Sequence, residues 1–195
     1  YFCKKFFKMK SAISQPFINR LHNSLVNQCV TKGIIDNKIF DVQDLDEIWD
    51  KSAPQYLADA VNEIADYPMV AIAWAAYFGI GSAALWDADW EKAKNINDIY
   101  LYLRDMRGFD YIDEFVMEKM MHLSENNQHR IKIDDTLQEC AQLALSLIRK
   151  EEIEPSSIEA YQMFAITAEL FYKLGYTIAL TELGYKLHFV GVERN

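Results

Sequence analysis

Glycine and proline are scarce in this chain, seven and four in 195 residues. That is too little turn chemistry for a many-stranded β architecture, and it favours long helices joined by short connections. Cysteine is scarcer still. Cys3, Cys29 and Cys140 are odd in number and far apart, with no Cys-x-x-Cys pair or Cys/His cluster of zinc spacing, so they read as reduced thiols of a cytoplasmic protein. Also missing are a Gly-rich phosphate loop, a dinucleotide fingerprint, a His-Glu-x-x-His helix and a calcium loop. His22, His129 and His188 stand in no recognisable nucleophile pattern. The N-terminal stretch has positive charge without the apolar run of a secretory signal.

Acidic residues are plentiful: 29 Asp and Glu against 20 Lys and Arg give a formal charge of −9. The balance is uneven, because Lys4, Lys5, Lys8 and Lys10 make residues 1–10 a basic tail and leave the body, 11–195, more acidic still. Such a surface repels phosphate backbones, so no nucleic acid is expected as a partner. About half of the residues are apolar, enough for 11–195 to bury the core of a single helical domain unaided.

Apolar spacing of three and four predicts a helix over 16–30, stopped by Gly33. Residues 34–42 read as either a minimal hairpin around Asp36-Asn37 or an irregular connection. A short helix is expected over 44–50 and a second one from Ser52, with Ser52 as cap and Pro54 in its first turn. The stretch 69–86 has no charged residue. It is either a transmembrane span or the central helix of a globular core. Its Ala and Gly content, short length and acidic flanks without a basic cluster favour the buried helix, with Pro68 in its first turn. Ala71, Ala75, Gly79 and Ala83 recur every fourth position, a ridge of small side chains along which another backbone can approach closely. Val70, Trp74 and Phe78 form a bulky ridge beside it.

Further helices are expected from Asn95 or Asn97 to Gly108, from Asp110 to Leu123, from Asp134 or Asp135 to Lys150, and from the stretch 154–157 onward, with 124–130 as the longest exposed loop. Gly175 either ends the last helix or only weakens it, and 185–192 read as a short extended tail. The fold class is all-α: about seven to nine helices around a buried apolar helix at 68–86, with little or no sheet.

Four groups of residues are candidates for chemistry. Glu114, Glu118 and His122, spaced by four, would stack two carboxylates and an imidazole along one side of a helix; a solvated helix face is the simpler explanation. Glu169 interrupts an otherwise apolar helix, where a fully buried carboxylate must be paired or neutralised; a helix with one exposed edge, or an ion pair to an arginine such as Arg104 or Arg107, would explain it. Asp87 and Asp89 flank the end of the apolar helix as pocket-mouth acids or as caps. Trp74, Tyr77, Phe78, Trp86 and Trp90 line either an apolar ligand cavity or packed core.

Three functional readings stay open. The first is a non-enzymatic interaction or regulatory module that holds a protein partner or its own copy on an acidic surface or an apolar groove. The second is a metal-dependent helical enzyme, which requires Glu169 to converge with Glu114, Glu118, His122, Asp87 or Asp89. The third is a small apolar-ligand-binding domain. No cofactor is predicted.

Overall fold

A computed structural model describes residues 15–64 and 66–186. The basic tail at 1–10, His188 and most of the expected tail at 185–192 lie outside the described residues. Among those described there are eight α-helices and no strand. They are α1 (Gln15–Thr31), α2 (Gln43–Glu63), α3 (Pro68–Ala88), α4 (Trp90–Asn95), α5 (Ile99–Arg107), a single turn α6 (Ile112–Glu114), α7 (Gln128–Arg149) and α8 (Ile158–Glu182). Residues 34–42 are an irregular connection.

The architecture follows from α3. A helix without a charged face must be surrounded, and α8, α7, α2 and the 112–120 segment cover it. By length and composition α3 would also pass as a membrane span, but 78% of its apolar window is buried in this packing. The small ridge is the seam with α8: Ala71, Ala75, Gly79 and Ala83 are all buried. A Cβ added to Gly79 would stand 2.0 Å from the Tyr172 carbonyl oxygen, and one added to Gly175 would stand 1.8 Å from that of Ala76. Gly175 therefore does not end α8; it lets the two backbones touch. In this seam Ser82, Thr167 and Thr177 return their hydroxyls to carbonyls one turn back, at 2.8 to 2.9 Å, so their burial leaves no lost hydrogen bond.

Aromatic side chains tie the outer helices to this pair. Phe78 of α3 packs against Tyr172 of α8 at 4.7 Å between ring centroids, and against Tyr100 of α5 at 5.6 Å. Trp49 and Tyr56 bring in α2. The Tyr56 hydroxyl donates to the Ala71 carbonyl at 2.6 Å. The buried side chains make one contiguous core from α1 to α8.

Several expected boundaries are corrected. α2 is continuous through Pro54, and Ser52 is no cap: its buried hydroxyl donates to Asp98 at 2.9 Å and accepts the Tyr100 N–H at 3.4 Å. Asp98, rather than Asn95 or Asn97, caps α5 by accepting the Leu101 N–H. α7 begins six residues before Asp134, because Asn127 accepts the N–H groups of His129 and Arg130. After α6 the chain widens into a π turn, Phe115–Met120, and the helix expected to reach Leu123 stops there.

Candidate functional site

A groove of about 580 Å³ lies between α2, α4, α5 and the end of α8. Leu45 and Ile48 of α2, Ala93 of α4, Ile99 of α5 and Leu180 of α8 supply apolar walls. The two serines facing it, Ser52 and Ser82, spend their hydroxyl protons on Asp98 and on the Phe78 carbonyl. Trp86 and Trp90 flank the break between α3 and α4, and both remain exposed, 43% and 53%. The Trp86 ring leans on Tyr185, whose hydroxyl donates to Asp87 at 2.6 Å. Asp87 thus steadies the rim of the groove, and Asp89 caps α4 by accepting the Lys92 N–H. The Tyr176 hydroxyl on the same wall is pushed up to about 12 by burial, with the Asp44 charge adding to it.

Charge on this wall is mixed. Lys51, Lys94 and Lys186 line the groove together with Asp44 and Glu47. Lys94 holds its ammonium 5.1 Å above the Trp90 ring.

Of the other aromatic candidates, Trp74 and Tyr77 sit on the far side of α3. The Trp74 indole donates to the Phe109 carbonyl at 2.9 Å, and the Tyr77 hydroxyl donates to Asp134 at 2.7 Å. Phe78 is fully buried. The structure therefore divides the five aromatics, with Trp86 and Trp90 on the groove and Trp74, Tyr77 and Phe78 in packing.

Glu169 is buried, as its place in an apolar helix requires, but its partner is Lys173, one turn on at 3.2 Å, and not Arg104 or Arg107. Arg104 pairs instead with Asp59 and Asp105. The Lys173 ammonium also meets Asp41 at 2.6 Å and Asp46 at 2.7 Å. Burial works against its charge, and Glu169, Asp41 and Asp46 more than offset that, so Lys173 holds its proton more tightly than an ordinary lysine. This knot fastens the 34–42 connection to α8, seconded by the Phe40 N–H donating to Thr177 at 2.8 Å. A second concavity of about 440 Å³ lies beside it, edged by Asn19 and His22 of α1.

The row Glu114, Glu118, His122 does not form a helix face. The π turn changes the repeat between its members, and His122 lies beyond it with φ of 57°. Glu118 is 3.1 Å from Arg130. That arginine is 6% exposed and also meets Asp134 at 3.3 Å. Among the described residues no three His, Cys, Asp or Glu side chains converge to hold a metal ion. Sequence reading also missed the meeting of Cys29 and Cys140, whose buried Sγ atoms lie 3.7 Å apart between α1 and α7. The available signal was that each sits on the apolar stripe of its helix.

Comparison with protein-family models, curated proteins and solved structures returns no significant match for this chain.

Proposed function

We propose that this chain is a binding module that takes an apolar ligand into the groove between α2, α4 and α8. One observation carries the reading. A concavity of about 580 Å³, inside the roughly 300 to 1,000 Å³ range of ligand pockets, is walled by aliphatic side chains and edged by two exposed tryptophans. Exposed tryptophans on a concave surface offer large contact area to a ligand and need little ordering.

Titration of the full chain with dodecanol, followed by tryptophan fluorescence and calorimetry, tests this. One saturable site is expected. Trp90→Ala should weaken it about tenfold, the loss of roughly 1.4 kcal/mol of apolar contact, and Ala93→Trp, which fills the groove, should abolish it. Absence of saturation, or equal binding by both variants, refutes the reading.

A second reading keeps the groove and changes the occupant. Val42, Trp86, Trp90 and Tyr185 are all exposed along it, an apolar edge of the kind that a second copy or a partner's helix covers. Sedimentation across a hundredfold range of protein concentration separates the two. A dimer that disappears in Trp86→Ser/Trp90→Ser selects self-association.

A further inference from the structure

The chain is acidic, −9 in formal charge, yet three lysines face the groove against two carboxylates. Two of these lysines are uncommitted. Lys51 stands one turn beyond Glu47, the spacing of a helix ion pair, but among the described residues neither Lys51 nor Lys186 forms an ion pair. Elsewhere the ammonium groups of Lys32, Lys92 and Lys173 are held by Glu139, by the Tyr102 hydroxyl and by the carboxylate knot. Lys94 rests over Trp90, which places a positive charge beside one of the exposed rings.

An apolar trough edged by unpaired ammonium groups is complementary to a molecule with an apolar body and a negative end. Lysine suits that task, because its alkyl stem lies along apolar surface while its charge stays at the water boundary. Resting on the groove reading above, we infer that the occupant is a free single-chain amphiphile with an acidic headgroup, its chain against Leu45, Ile48 and Leu180 and its charge met by Lys51, Lys94 and Lys186. Three partly solvated ammonium groups each contribute modestly, so the headgroup sets preference among ligands and the trough provides most of the affinity.

The experiment compares dodecanoate, dodecanol and dodecylammonium, each below its aggregation concentration, on the full chain by calorimetry and tryptophan fluorescence at 20 mM and 300 mM NaCl. Dodecanoate should bind one per chain and about five- to tenfold more tightly than dodecanol at low salt. That advantage should shrink at high salt as screening sets in. Lys51→Gln/Lys186→Gln should bring the ratio of dodecanoate to dodecanol affinity close to one at low salt.

Equal affinity for dodecanoate and dodecanol, or a preference for dodecylammonium, overturns the headgroup inference while the groove reading stands. Failure of all three ligands overturns both. Co-sedimentation with phosphatidylserine vesicles, without binding of monomeric dodecanoate, would show that the lysines serve a membrane surface and would also overturn it.

Discussion

The Gly79 backbone lies against the Tyr172 carbonyl so closely that a single added methyl would stand 2.0 Å from its oxygen. The opposing atom is backbone, and no rotamer change can move it aside. Gly79→Leu should therefore lower stability by ~1 to 3 kcal/mol or more, the usual cost of overpacking. Gly175→Ala, which collides with the Ala76 carbonyl, should do nearly the same with far less added volume. Thermal denaturation of both variants checks this, and an unchanged midpoint for either would mean that α3 and α8 do not meet along this seam.

Ser52 links α2 to the first turn of α5. Its hydroxyl donates to Asp98, and Asp98 in turn caps that turn through the Leu101 N–H. Ser52→Ala leaves the buried Tyr100 N–H with less than its full complement and loosens the cap, a cost of ~1 to 3 kcal/mol. Since Ser52 also faces the groove, the variant should bind dodecanol as before when measured well below its melting midpoint. Loss of binding at unchanged stability would assign Ser52 to the ligand instead.

Asp113 provides a pH test. Burial pushes its carboxyl above the ordinary carboxylate range, against a hydrogen bond from the Glu114 N–H. The folded state thus holds this proton more tightly than the unfolded chain does. Its contribution to stability is fully present below the ordinary carboxylate pKa and is lost as pH rises through the folded value. Asp113→Asn, which cannot ionise, should be more stable than the parent at pH 7, with the difference closing below about pH 4. Urea titrations at pH 3.5 and 7 decide it, and a variant less stable at pH 7 would reverse the sign.

What could be read in the sequence was set by local signals. The uncharged run of α3 announces a surrounded helix, its every-fourth small residues announce the seam, and the stretch 154–157 announces α8, which Ser157 caps. Pro54 misled because a proline after a serine looks like a helix start, whereas α2 passes through it. Asp134 and Asp135 have the look of helix caps and Asn127 lies in a polar stretch, so the start of α7 is placed too late and Arg130 falls in a supposed loop. The groove was half legible. Trp86 and Trp90 could be named from their place at the end of the apolar helix, but the opposite wall comes from residues 40 to 48 and 176 to 186, and no periodicity relates those to each other. Glu169 was recognisable as a buried charge, and its lysine stood four positions away. The partner was overlooked because Lys173, read alone, belongs to the same apolar helix and poses the same problem that it solves.

That mutual dependence makes Glu169 and Lys173 the most informative pair to alter. Lys173→Met removes from a knot of three carboxylates the ammonium that joins them among the described residues. Breaking a buried pair from one side typically costs ~3 to 5 kcal/mol. Replacing both members with apolar groups of similar size often costs little, because two desolvation penalties disappear together. Lys173→Met/Glu169→Leu should therefore recover most of the stability lost in Lys173→Met, as Asp41 and Asp46 keep far more contact with solvent than Glu169 does. A double-mutant cycle by urea denaturation measures the coupling. Recovery would show that the 34–42 connection stays on α8 without the Lys173 ammonium. A double variant as unstable as Lys173→Met would show instead that Asp41 and Asp46 depend on the ammonium, so that the lysine, and not its pairing with Glu169, holds the connection to α8.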